Sequence, residues 1–322
     1  MLVPDLLEQA RQKIHGAQSI VVISHLRPDG DAVGSLVGLG LALEHAGKQI
    51  QMVLVDGLPE SLRFLEGSER ILHRWKGQID LAIVVDSSDL DRIGTGLQEY
   101  GQPDINIDHH VTNLNFAVLN LVDGEATATA EMLAAYLPAL GLQLTPQAAS
   151  AFLTGMVTDT IGFRTNNMRP FALRLAADLM EAGANLPELY KKALAQRSLA
   201  AMRYWGAGLA GVQLDGRLAW ATLTLEDRKR VGYPGRDDAD LINILSAMKE
   251  ADVVIVFVEQ AEGSVKISWR AQNGYDVSKV ALRFGGGGHT SASGAEVKAP
   301  LAQAQALVLD ATKILFQSKI SQ

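Results

Sequence analysis

The stretch Ile20-Val21-Val22-Ile23-Ser24-His25-Leu26-Arg27-Pro28-Asp29-Gly30-Asp31 decides the fold class. Its first five residues are a compact, mostly β-branched run that suits a buried strand, and the run ends on His25 in a polar loop. An Ala-, Leu- and Gly-rich helix follows from Asp31 to Ala46, with Gly47 as its stop. The cadence recurs. Ile50 to Val55 reads as a strand, Leu81-Ala82-Ile83-Val84-Val85 as another that ends on Asp86, and Ile105-Asn106-Ile107 as a third that ends on Asp108. Near-continuous apolar strands separated by helical segments predict an α/β domain, a mostly parallel sheet flanked by helices.

Further along, helical apolar spacing covers Ala126 to Leu140, Pro146 to Thr158, Pro170 to Ala182 and Pro187 to Leu209, with a first-turn proline after Thr145 and Arg169. After Gly211 the pattern changes to short strands, Leu218 to Leu223, Val253 to Val258 and Ser264 to Arg270, with a helix from Ala239 to Met248 and turns at Asp215-Gly216 and Glu262-Gly263. The expected organisation is an α/β domain at 1-190, a linker helix at 191-212 and a smaller C-terminal α+β domain at 213-322.

Composition narrows the chemistry. The chain has 322 residues, 48% apolar and 20% charged, enough to bury about two cores. It contains no cysteine, so any metal must be held by oxygen and imidazole, which favours manganese or magnesium. Met1 to Glu8 lacks the basic segment and apolar core of a signal peptide, and no window offers about 20 uninterrupted apolar residues. A cytoplasmic location with no membrane partner is the expectation. The net charge of −7 argues against tracking along long nucleic acid, so a polyanionic substrate should be short.

Four polar pieces sit at strand ends or at an end of an apolar helix, where open α/β sheets place their chemistry. They are His25-x3-Asp29-x-Asp31, Asp86, Asp108-His109-His110 and Asp159. The first also reads as a Pro-Asp-Gly turn with Asp31 as a helix N-cap, and Asp86 as a plain strand end. Asp108-His109-His110 is harder to read that way, because three consecutive titratable groups at a sheet end are costly unless something organises them. Together His25, Asp29, Asp31, Asp86, His109 and Asp159 supply enough donors for two divalent ions if one carboxylate bridges. Two ions about 3.5–4 Å apart can bind phosphate oxygens and activate a water for in-line attack on phosphorus.

A second constellation is Gly285-Gly286-Gly287-Gly288-His289, read as backbone N–H groups freed to form an anion-binding nest, with His289 as an added donor. Upstream, Lys266, Ser268 and Arg270 alternate with Val265, Ile267 and Trp269, so period-two geometry puts the polar three on one face and Trp269 in the core. Arg270 can then meet a phosphate bidentately. His15, His45 and His73 read as surface groups, and Trp75, Tyr204 and Trp205 as packing residues.

This ordered set resembles the DHH phosphoesterases with a C-terminal DHH-associated domain, over nearly the whole chain. Length and layout look most like the bacterial nanoRNase or oligoribonuclease type. The resemblance implies hydrolysis of short RNA oligonucleotides to mononucleotides and of small nucleotides such as 3'-phosphoadenosine 5'-phosphate, with two manganese ions, magnesium or cobalt being the alternatives. It also implies a homodimer, as relatives often form. Carried over by position, His25, Asp29 and Asp86 hold one ion, and Asp31, Asp86, His109 and Asp159 the other. Asp108 supports His109 or its loop, and His110 faces the phosphate as donor or general acid. Arg270, Ser268, Gly286, Gly287, Gly288 and His289 bind phosphate or nucleotide, with Arg164 a further candidate. Ala271 stands where many relatives have Ser, which removes one phosphate hydrogen bond. The rival readings are a cyclic or linear dinucleotide phosphodiesterase and, in another class, a non-catalytic nucleotide-binding regulatory protein.

Overall fold

A computed structural model of the protein describes residues 4–317, so the reading of Met1 to Val3 as part of a chain start without a leader lies outside the described residues. The chain divides into two compact units, Met1–Gln196 and Arg197–Gln322. Among the described residues no helix is long and apolar enough to cross a membrane.

The first unit runs α1 (Pro4–Gly16), β1 (Ser19–Ile23), α2 (Gly30–His45), β2 (Gln49–Val53), β3 (Leu81–Val85), β4 (Ile105–Asp108), β5 (Leu119–Val122), α3 (Thr129–Tyr136), α4 (Pro146–Asp159), α5 (Pro170–Glu181) and α6 (Leu186–Tyr190). Its five strands pair in parallel in the order β2-β1-β3-β4-β5. Every residue of β3 and β4 is buried, as the unbroken apolar runs predict for a sheet covered on both faces. Strand order reverses direction at β1, so the carboxyl ends of β1 and β3 open side by side at a topological switch point. The carboxyl end of β4 lies next to that of β3.

The helix beginning near Asp31 differs in one respect from expectation. Its N-cap is Asp29, whose Oδ1 accepts the Asp31 and Ala32 amides at 3.0 Å each, and Asp31 lies inside the first turn. That turn faces α4. Gly34 and Gly155 let the two helices approach backbone to backbone: a Cβ on Gly34 would lie 2.5 Å from the Ala151 carbonyl oxygen, and one on Gly155 would lie 2.8 Å from Asp31 Oδ1.

The helical run expected from Pro187 to Leu209 is divided. After α6, Lys191–Ala195 form a π-turn, Gln196 is extended, and Ser198 starts a new helix by accepting the Ala201 amide at 3.1 Å. The second unit therefore opens with α7 (Leu199–Ala210). It continues through β6 (Gln213–Asp215), β7 (Leu218–Leu223), α8 (Leu225–Val231), α9 (Leu241–Leu245), β8 (Val253–Glu259), β9 (Val265–Ala271), α10 (Ser278–Arg283), β10 (Gly287–His289), β11 (Ala292–Val297) and α11 (Leu301–Gln317). These strands form a mixed sheet in the order β10-β11-β9-β8-β7-β6, parallel only between β7 and β8. One face packs Phe257, Ile267 and Trp269 in a core with α10 and α11, and the other packs Val254, Val256 and Val258 with α7 and α9.

The α2–α4 crossing yields a stability prediction. Gly155→Ala forces a methyl against Ala130 Cβ and Asp31 Oδ1, and overpacking of this kind costs about 1–3 kcal/mol. The midpoint of urea unfolding should fall while the slope stays unchanged.

Candidate metal centre

Each strand end delivers its polar residue in a different way. His25 follows β1 by two residues and donates its Nδ1–H to the Leu26 carbonyl at 2.8 Å, a carbonyl being able only to accept. Its Nε2 is thereby left as the lone-pair nitrogen of the neutral ring and faces Asp86 Oδ2 at 3.5 Å and Asp29 Oδ1 at 4.0 Å. His109, next after β4, does the same, donating from Nδ1 to the Ala126 carbonyl at 3.3 Å. Its Nε2 lies 3.8 Å from Asp31 Oδ2, 3.8 Å from Asp86 Oδ1 and 3.7 Å from Asp159 Oδ2. Backbone carbonyls that set the tautomer and aim Nε2 are the usual support of a metal-binding imidazole.

Asp86 joins the two groups. It leaves β3 with a left-handed backbone, φ 56°, which Asp tolerates better than most residues but which still stores strain. The reversal turns its carboxylate so that Oδ2 faces His25 and Oδ1 faces His109. Three donor sets share it: His25, Asp29 and Asp86; Asp31, Asp86 and His109; and Asp86, Asp108 and His110, whose Nδ1 lies 3.8 Å from Asp86 Oδ1, with the donor atoms of each set within 4.8 Å of one another. Separations of 3.5–4.0 Å exceed a hydrogen bond yet fall within the span of donors around one divalent ion.

Electrostatics point the same way. Burial, reinforced by the charges of Asp86 and Asp159, pushes the Asp31 carboxyl well above its ordinary range. Burial would push Asp86 up too, but the His25 contact and the charges of His110 and His109 outweigh it and hold this carboxyl far down. Burial opposes a charge on His25 and His109, and the surrounding carboxylates still raise both. Carboxylates packed this closely repel unless positive charge sits among them, and a divalent cation inverts that balance. All-oxygen and imidazole donors suit a hard or borderline ion. The side chains of Asp29 and Asp159, 63% and 25% exposed, leave the group open to solvent.

Of the two roles expected for Asp108, its contacts are to the loop and not to His109. Its Oδ1 accepts from His110 Nδ1 at 2.6 Å and its Oδ2 from Asn113 Nδ2 at 2.6 Å, so it orients His110, while the Ala126 carbonyl orients His109. Although burial opposes it, the bond to Asp108 raises the His110 imidazole above its ordinary value. The two rings meet edge to face at 4.8 Å.

Asp31 depends on residues that sequence reasoning passed over. The N-cap position of α3 is Ala128, which has no side-chain acceptor, and the orphan amides of that helix are capped from another element. Thr129 N–H donates to Asp31 Oδ2 at 2.6 Å and Ala130 N–H to Oδ1 at 2.9 Å. Ser35 Oγ adds 3.2 Å to Oδ1, and Thr129 Oγ1 reaches Asp86 Oδ1 at 3.0 Å. The signal was there: a Thr-Ala-Thr-Ala-Glu run at the start of a helical stretch with no capping side chain at its N-cap.

In the second unit, Lys266, Ser268 and Arg270 share a face of β9 as expected, and Trp269 is fully buried with its Nε1 bonded to Thr312 Oγ1 at 3.2 Å. The glycine run has a structural part as well. Gly287 to His289 form edge strand β10 against β11, and Gly286 and Gly288 are there for close approach, since a Cβ would lie 2.1 Å from the Gly294 oxygen and 2.5 Å from the Ala292 oxygen respectively. Close packing accounts for two of the four glycines. Gly294 pairs with both Gly287 and Ser268, so the glycine strand and the Arg270 row lie two strand spacings apart, about 10 Å. Arg164 is exposed in the first unit, with its Nε on the Ile161 carbonyl at 3.0 Å.

Comparison with known proteins agrees with this geometry. Residues 19–156 match the DHH family, N-terminal domain, and residues 230–315 the DHHA1 domain. The bifunctional oligoribonuclease and PAP phosphatase NrnA of Thermus thermophilus is 37% identical over 91% of this chain and 89% of its own. The chain belongs to the DHH family. The Bacillus subtilis protein of the same name is 28% identical over 87% of this chain and 89% of its own. Among solved structures, an exopolyphosphatase-related protein from Bacteroides fragilis superposes with a TM-score of 0.88 at 25% identity, covering 97% of this DHH chain and 96% of the other.

Thr129 provides a test of the support. Thr129→Val keeps the shape and removes the hydroxyl from Asp86, and loss of such an outer partner lowers metal affinity by about 10–100-fold. Isothermal titration with Mn2+ should show that loss against the parent, with the thermal midpoint little changed.

Proposed function

We propose that this chain is a two-metal phosphoesterase that hydrolyses very short RNA oligonucleotides to mononucleotides and removes the 3'-phosphate of 3'-phosphoadenosine 5'-phosphate. The observation that carries the reading is the division of Asp86, one oxygen toward His25 and the other toward His109. A carboxylate so shared suits two ions and serves no purpose in a protein that only binds nucleotides. The oligoribonuclease and PAP phosphatase names of the Thermus and Bacillus relatives supply the substrates of this reading.

In this reading His25, Asp29 and Asp86 hold one ion, and Asp31, Asp86, His109 and Asp159 the other. Oxygen and imidazole donors with no cysteine suit manganese, with magnesium or cobalt as the alternatives. When bound, the pair supplies Lewis-acid stabilisation of phosphoryl charge and a water of lowered pKa. His110, held by Asp108, presents its other nitrogen to the phosphate or leaving oxygen as a proton donor. Arg270 and Ser268, with Gly286, Gly287, Gly288 and His289, bind the terminal phosphate or nucleotide, and Arg164 contributes a further cation. The N-terminal unit thus carries the chemistry and the C-terminal unit the recognition. Cytoplasmic action on small nucleotides fits a net charge of −7.

A Mn2+-dependent panel of RNAs two to ten residues long, 3'-phosphoadenosine 5'-phosphate and cyclic dinucleotides tests the proposal. The shortest RNAs and the bisphosphate should turn over fastest. Asp86→Ala should lower those rates at least about a thousandfold, the equivalent of several kcal/mol of charge stabilisation. Parental rates in that variant, or equal rates on long single strands, contradict the reading.

A further inference from the structure

An ion pair between a buried carboxylate and a partly exposed arginine, beside the metal ligands, has no role in the scheme above. Glu131, in the first turn of α3, is 1% exposed. Its Oε2 accepts both the amide of Thr127, at 2.8 Å, and the hydroxyl of the same residue. Its Oε1 accepts from Arg169 Nη2 at 2.5 Å. Arg169 Nε is buried without a hydrogen-bond partner, so the guanidinium relies on this carboxylate.

The position of each partner has a local cause. Thr127 precedes Ala128, the N-cap that cannot cap, and an extended Ala128 (φ −163°, ψ 154°) carries the chain from Thr127 into the helix. Fixing Thr127 through both its polar groups therefore fixes the angle at which the Thr129 and Ala130 amides leave the helix. Arg169 precedes Pro170, which confines it to an extended backbone (φ −122°, ψ 149°) at the start of α5. Arg169 also closes the loop that leaves Asp159, where Ile161, Gly162 and Phe163 are all left-handed. A β-branched residue in that region is an outlier that its surroundings must hold in place.

The consequence is felt at Asp31. Its Oδ1 takes Ala130 N–H and Ser35 Oγ, which uses both lone pairs. Its Oδ2 takes Thr129 N–H alone and is the oxygen that faces His109 Nε2. The α3 amides thus decide which oxygen of Asp31 is offered to an ion.

We infer that Glu131 and Arg169 form a positioning pair that locks the amino end of α3, so that its amides preset Asp31 as a one-oxygen ligand. Neither residue touches substrate or ion. The inference rests on the metal reading above for its effect on affinity, and on the observed hydrogen bonds alone for its effect on the amides.

Two readouts keep these apart. In metal-free protein, amide hydrogen exchange at Thr127, Thr129 and Ala130 is measured in the parent, Glu131→Gln, Arg169→Gln and the double variant. Mn2+ affinity is measured by calorimetry on the same four. Glu131→Gln sets an amide against a partly buried guanidinium, and exchange at the three amides should rise at least about tenfold while Mn2+ binding weakens about tenfold. Arg169→Gln should do the same to a smaller extent. The double variant places two neutral amides face to face and should recover most of both losses, which a general loss of stability would not do. Parental exchange at these amides in folded Arg169→Gln protein, or a double variant no better than Glu131→Gln, overturns the inference. If Glu131→Gln does not fold, Arg169→Gln and the double variant are compared with the parent and with each other: parental exchange in Arg169→Gln, or a double variant no better than Arg169→Gln, overturns the inference. A parent that binds no Mn2+ contradicts the metal reading and leaves the exchange test intact.

Discussion

Three carboxylates, Asp31, Asp86 and Asp159, converge on one imidazole, His109, at 3.7–3.8 Å, and much of the N-terminal unit is organised by what it takes to hold them there. Carboxylates drawn around one ring, with donor atoms of Asp31 and Asp86 within 4.8 Å and little water between them, repel by several times what they would in solution. The protein offsets part of that repulsion with fixed dipoles. The amides of α3 meet Asp31, the hydroxyl of Thr129 meets Asp86, and two histidines turn lone-pair nitrogens inward because carbonyl oxygens hold their other nitrogens. The remaining negative charge is what makes the place suited to cations.

Strain collects in the same region. Asp86 is left-handed at the end of β3, Arg27 is left-handed in the loop after β1, and Ile161 and Phe163 are left-handed just beyond Asp159. All four flank or carry a candidate ligand. Gly155 packs against Asp31 with no room for a methyl, so the helix crossing and the carboxylate position are one feature. A sheet buried on both faces provides the stiffness that these local departures require.

Much of the fold was legible because β1 and β3 are nearly unbroken apolar runs and the helix after β1 begins and ends on recognisable signals. The exceptions have physical causes. Strand β5 is only four residues long, Leu119-Asn120-Leu121-Val122, and lies at the sheet edge with alternating burial, so it lacks the signature of its neighbours. The apolar spacing between Pro187 and Leu209 is continuous on both sides of Gln196, yet the hydroxyl of Ser198 caps a new helix and the run divides there. The glycine run looked like freedom for an anion nest. Two of its members are also demanded by a neighbouring strand, a constraint that belongs to residues 292 and 294 and cannot be seen in the run itself.

The chain by itself determined the α/β class, the strand ends that bear chemistry, the six candidate ligands and the alternation of β9, because each depends on residue type and on periods of two or 3.6 that are local to the sequence. Only the tertiary structure decided that Asp86 divides its oxygens between two histidines, that Asp108 serves His110, and that a helix whose own cap is an alanine is capped by Asp31 from nearly a hundred residues away. These are orientations and partnerships of side chains brought together by separate strands, and a linear pattern carries no information about which lone pair faces which donor.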